Sequence, residues 1–211
     1  MKLKFTLIVL SLFVFNCQTE KKPELSYKYV TNETSSLNCE GINMKLFEEA
    51  LLSFENDITQ HYTPNRDTPS RAYSQFMRGV IRNNVKFEKV VSDHSVDVYK
   101  SLKKEKDLWI VSEGKTEINF QHPIFECIGK NITNTDMRRT YNALLTTNSM
   151  SLRMMGNELQ RKAYTMNKDK YAAVFSSLIT YYNNFHEINF NQNDAENKTN
   201  NKKPSAKAEN S

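Results

Sequence analysis

His61, His94, His122 and His186 are the side chains of this 211-residue sequence best suited to hold a metal or move a proton near neutral pH. Two of them have a carboxylate within helical reach: Asp57 lies four residues before His61, and Asp97 three residues after His94. A carboxylate-bridged metal bundle needs such a pairing twice, as a repeated Glu-x-x-His, and neither pair recurs. His-Glu-x-x-His, Cys-x-x-Cys-His and the calcium-loop pattern are missing from the sequence as well. The sequence therefore assigns no metal and no cofactor. There is no Gly-x-Ser-x-Gly elbow to expose a nucleophile. Glu48 and Glu49 are adjacent, hence about 100° apart on a helix, and read as part of a solvated face. No catalytic residue is assigned.

The cysteines carry more information. Lys2 and Lys4 precede an apolar run from Phe5 to Phe15 that ends at Asn16-Cys17. A membrane-crossing helix needs about 20 mainly apolar residues, and this run stops well short at the polar stretch Gln18 to Lys22. The segment resembles the export signal of bacterial lipoproteins, with Val14-Phe15-Asn16-Cys17 in the place of the lipobox, in the looser form known from Bacteroidota. The resemblance implies removal of residues 1–16 and lipidation of Cys17. It also implies a protein held at the cell envelope through its acyl chains, with the membrane as its first partner. Gln18 replaces the aspartate that retains many such proteins at the inner membrane, which points to the outer membrane.

In that oxidising compartment Cys39 and Cys127 are the two remaining thiols, and an even pair there reads as a disulfide. Two separate buried thiols are the alternative. Closing so long a loop would stabilise the fold by roughly 4–5 kcal/mol through the unfolded chain.

Residues 17–38 are rich in Lys, Glu, Asn, Thr and Ser and read as a flexible tether; residues 191–211 read as a disordered tail. Between them, residues 39–190 form one domain whose few glycines and prolines favour helix. Phe47, Ala50, Leu51, Phe54 and Ile58 keep the helical period, with Glu48, Glu49, Glu55 and Asp57 on the other face. Thr68-Pro69 starts a second helix through Ile81, and a third is expected from Phe87 to Lys104. Leu108 to Val111 and Ile118 to Phe120, parted by Gly114, fit a short hairpin or an irregular connection. The period returns over 135–186, in two helices or three depending on whether Asn148 to Ser151 and Asn167 to Asp169 both break it. The fold class is all-α: a helical bundle of about five to six helices with a short β-hairpin insert.

Without Lys2 and Lys4 the formal charge falls from +5 by two, to +3, and the basic residues look interspersed with acids, so no nucleic acid is expected as partner. Tyr62, Tyr73, Tyr164, Tyr171, Tyr181 and Tyr182, with Trp109, offer flat faces suited to recognition but fall on or beside apolar stripes. They read as core with the hydroxyls at its rim, and Met150, Met154, Met155 and Met166 read the same way. The expectation is a non-catalytic binding or accessory module with an envelope protein as its partner. A small envelope enzyme with a site assembled only in three dimensions, a lipid-anchored immunity or inhibitor protein, and a carrier of apolar ligands are the alternatives.

Overall fold

The computed structural model describes residues 25–31, 35–66 and 68–188. Cys17, the export segment and the tail lie outside them. Asn43 caps helix α1 (Met44–Tyr62) by accepting from the amide of Leu46, and the stripe Phe47, Ala50, Leu51, Phe54 and Ile58 is buried along its length. Opposite it runs α8 (Lys170–Thr180), where every residue from Ala172 to Thr180 is buried. A helix apolar all round belongs in the centre of a fold, and these two form its axis.

The remaining helices pack around that axis. They are α2 (Pro69–Ile81), α3 (Phe87–Val90), α4 (Asp93–Leu102), α5 (Pro123–Asn131), α6 (Thr135–Thr146) and α7 (Leu152–Lys162), with 3-10 turns at Ala163–Lys168 and Tyr182–Glu187. The protein is all-α, with eight α-helices among the described residues where the apolar period suggests five or six. Both suspected breaks are real. Asn148 turns left-handed at φ 52°, and Ser151 then caps α7; Asp169 caps α8 by accepting from the amide of Ala172. The same carboxylate accepts from the amide and hydroxyl of Thr133 at 2.7 Å, fastening the start of α6 to α8.

The third helix expected from Phe87 to Lys104 is two. Ser92 adopts an extended backbone (ψ 159°), accepts from the Ser95 amide as the cap of α4, and donates its own amide to Asp57 at 2.9 Å. A side chain that offers the backbone better partners than the next helical turn ends the helix, whatever the apolar period.

The hairpin forms as β1 (Trp109–Ser112) and β2 (Lys115–Ile118), antiparallel with Trp109 opposite Ile118. Its two-residue turn uses Glu113 and Gly114 at φ 51° and 78°, the double left-handed geometry that matches strand twist. The indole N–H of Trp109 donates to the Leu102 carbonyl at 2.8 Å and anchors the hairpin to α4.

Cys39 and Cys127 are joined by a disulfide with Cα atoms 5.9 Å apart, tying the approach to α1 to α5. The packed chain starts earlier than Cys39, however. Residues 25–31 and 35–38, assigned to the tether by composition, lie along α1, with Val30 and Leu37 buried. They are held by Glu48 and Glu49, which are buried and not solvated. Glu49 accepts from the amides of Lys28 (2.6 Å), Tyr29 (3.1 Å) and Val30 (2.7 Å) and from His94 Nε2 (2.7 Å). Glu48 accepts from the Ser36 amide at 2.8 Å and from the hydroxyls of Ser35 and Ser36. The polar face of α1 was legible; the strap that covers it was not.

Candidate functional site

Helix α2 is amphipathic. Ala72, Tyr73, Phe76 and Met77 are buried, with Phe76 5.2 Å from the ring of Phe54 on α1. The opposite face carries Arg71, Gln75, Arg78 and Arg82 at spacings of four, three and four, a single stripe on a 3.6-residue helix. At its C-terminus the chain reverses sharply. Asn83 turns left-handed at φ 50°, and the amides of Asn83 and Asn84 donate to the carbonyls of Val80 and Gly79 at 3.0 Å. Gly79 makes the close return possible: a methyl there would stand 2.9 Å from Val85 Cγ2 and 3.3 Å from Asn84 Oδ1. The reversal brings Lys86 and Lys89 back beside Arg78 and Arg82. His61 closes the third side, its Nδ1 3.1 Å from the carbonyl of Lys89.

These segments enclose an open groove of about 300 Å³, lined by Arg78 and Arg82 from α2 and its cap, by Lys86 and Lys89 from beyond the reversal, and by His61, Tyr62, Gln75 and Asn84. A hollow of about 360 Å³ adjoins it at Tyr62 and Gln75 and adds Arg66 and Arg71. Among the described residues, neither is lined by a carboxylate. A third hollow, sharing His61 and Lys89, reaches Asp57 and Ser92. Among the described residues, none of Arg66, Arg71, Arg78, Arg82, Lys86 and Lys89 makes an ion pair. Six cations around two adjoining hollows, unpaired among the described residues, raise the local concentration of anions by field alone. Arginine adds planar donor pairs that match phosphate, sulfate or carboxylate oxygens.

Asp57, Ser92 and His61 share the groove's edge, which invites comparison with a hydrolytic triad. The wiring differs. Ser92 donates its hydroxyl straight to Asp57 at 3.1 Å, and no imidazole stands between them. Asp57 also accepts from the hydroxyls of Ser95 and Tyr181, so it is a buried junction between α1, α4 and the end of α8. Burial and the adjacent Asp57 charge push the Tyr181 phenol well above its usual range and keep it a donor.

The histidine pairs do not converge. Asp57 turns inward while His61 meets a backbone carbonyl, and His94 binds Glu49 while Asp97 pairs with Lys100. His122 caps α5, and His186 sits against Tyr99 and Trp109; burial lowers the pKa of both rings. No group of three or more His, Cys, Asp or Glu side chains among the described residues is placed to hold a metal.

Of the tyrosines, Tyr73, Tyr181 and Tyr182 are wholly buried. Their hydroxyls lie inside the core, on Glu55, Asp57 and the Ala50 carbonyl, where the rim was expected. Tyr164 is exposed, and so is Met154, while Met150, Met155 and Met166 are buried. The groove itself was missed in the sequence because basic residues were weighed over the whole chain. Between residues 64 and 91 six basic residues face Asp67 and Glu88 alone, and that local excess was the available signal.

Compared with known protein families, with curated proteins and with solved structures, the chain matches none.

Proposed function

We propose that this protein is an envelope lipoprotein, tethered at Cys17 to the outer membrane, whose helical domain binds an anionic ligand in the groove between α2, α3 and the end of α1. The observation that carries the reading is that groove: four cations in its lining and, among the described residues, no carboxylate beside them and no ion pair to neutralise them. The lipobox-like segment supports export, and the Cys39–Cys127 disulfide suits an oxidising compartment. Binding without catalysis fits a site at whose edge the Ser92 hydroxyl caps a helix and faces a carboxylate directly, with no imidazole between them. An envelope location offers such a groove anionic glycans, lipid headgroups and acidic protein surfaces in place of nucleic acid.

Two experiments test the two halves. Replacing Cys17 by serine should move the chain out of the membrane fraction or leave it unprocessed; normal processing with full membrane retention would refute the anchor. For the groove, full-length protein should bind dextran sulfate and not neutral dextran. The combined change of Arg78, Arg82, Lys86 and Lys89 to glutamine should weaken that binding far more than the same change at Lys103, Lys104, Lys106 and Lys115. Equal losses in the two variants would show general surface charge and no site.

A further inference from the structure

We infer that the groove is built for a phosphate monoester carried on a sugar, either free or as the headgroup of a lipid; the inference rests on the anion-binding reading above and names the ligand class of the same site. The first argument is charge. Arg78 on α2 and Arg82 at its C-cap stand about one helical turn apart, and Lys86 and Lys89, beyond the α2–α3 return, line the same cavity. A dianion set among these cations gains twice the attraction of a monoanion at the same distances, so the arrangement favours a phosphate monoester over a sulfate ester or a phosphodiester. Two guanidinium groups can each present paired N–H donors to its oxygens, while the two ammonium groups act as point charges.

The second argument is the polar remainder. Gln75 and Asn84 line the same cavity with amides, each able both to donate and to accept, as neighbouring sugar hydroxyls require. Tyr62 contributes a half-buried ring whose flat face suits the apolar side of a pyranose. Asn84 is held in place by the return over Gly79, so this face is fixed before a ligand arrives. A volume of about 300 Å³ lies at the lower end of what small-ligand sites enclose, enough for one phosphorylated monosaccharide unit and short of a polymer.

The test is a backbone-amide NMR titration of the full chain in detergent with glucose 1-phosphate, glucose and glucose 6-sulfate, together with binding of the Cys17→Ser chain, free of detergent, to vesicles of phosphatidylcholine with and without monophosphoryl lipid A. Glucose 1-phosphate should shift Arg78, Arg82, Asn84 and Lys89 with an affinity at least about tenfold above that for glucose or glucose 6-sulfate, a difference the added charge contacts readily supply. Arg78→Gln with Arg82→Gln should abolish the preference while the thermal melt stays as in the wild type. Tighter binding to the lipid A vesicles, measured on the Cys17→Ser chain, would identify the headgroup as the source; equal or weaker binding would identify the free sugar phosphate. Glucose 6-sulfate binding as tightly as glucose 1-phosphate, or shifts unchanged in the double variant, would overturn the inference. If dextran sulfate still binds through the four groove cations while glucose 1-phosphate does not, this inference fails and the broader anion-binding reading stands; loss of both overturns both.

Discussion

Glu49→Gln removes the charge that fastens the N-terminal strap and leaves the side chain's size almost unchanged. The carboxylate is fully buried on α1, with the Lys28 amide and His94 on one oxygen, Val30 on the other and Tyr29 shared between both. Glutamine turns one of those oxygens into an N–H donor: in one setting the Lys28 amide and His94 lose their acceptor, in the other Val30 loses its own and Tyr29 one of two, and in both every remaining bond loses its charged acceptor. Hydrogen bonds to a charged acceptor contribute about 1.5–3 kcal/mol each, so a strap kept in place would cost about 3 kcal/mol or more. The chain has a cheaper route, because residues 25–31 can lift into water while the helices stay packed. Hydrogen exchange at the amides of Lys28, Tyr29 and Val30 should therefore accelerate about a hundredfold, the rate equivalent of about 3 kcal/mol, with a melting shift much smaller than a core mutation gives. Protection within about threefold of wild type at all three amides would refute the reasoning, since a hundredfold gain cannot hide in that margin.

The pH dependence has a definite sign. Burial by itself would raise the pKa of Glu49, but the amides of Lys28, Val30 and Tyr29 and the His94 ring outweigh it and hold the pKa below the usual carboxylate value. A depressed folded-state pKa gives stability that is present above the unfolded value and lost as pH falls through the folded one. The strap should stay protected at pH 6 and open under acid, below the ordinary glutamate range.

Reducing the Cys39–Cys127 bond, which spans 88 residues, should lower unfolding stability by about 4–5 kcal/mol in urea titrations with and without reductant; a loss under about 1 kcal/mol would deny it a stabilising role. Gly129→Ala drives a methyl into Asn142 Oδ1 and sets it 3.0 Å from the Tyr141 ring, so Asn142 must leave its bond to the Gly129 carbonyl. About 1–3 kcal/mol of destabilisation should show in the unfolding midpoint, and a neutral result would mean that α5 and α6 separate freely. Asp57→Asn leaves the hydroxyls of Tyr181, Ser92 and Ser95 competing for a weaker acceptor and should cost about 2–4 kcal/mol by the same measurement, with no cost counting against its role as a junction.

Composition and period were enough for the fold class, and they offered the hairpin beside an irregular connection, because both rest on local pattern; the pairing of the two distal cysteines, 88 residues apart, came instead from the oxidising compartment that the lipoprotein resemblance implies. They were not enough for the polar interior. Glu48, Glu49 and Asp57 fall where a solvated face should be, and nothing in the spacing of α1 says that a strap and the cap of α4 will cover it. The break at Ser92 has the same origin, since it depends on an acid 35 residues away that satisfies the cap. The groove lies between these cases. Its stripe on α2 is readable at helical spacing, but Lys86 and Lys89 join it only because the chain folds back at Asn83 and Gly79.

The occupancy of that groove in the native envelope is what the account turns on, and lysine footprinting reads it directly. Intact cells and purified full-length protein would be treated with an amine-acetylating reagent and the modification rates compared by mass spectrometry. A ligand present at about ten times its dissociation constant should slow Lys86 and Lys89 about tenfold in the envelope, while Lys104 and Lys115, exposed elsewhere, keep their purified-protein rates. Equal rates at all four lysines in both preparations would contradict the account.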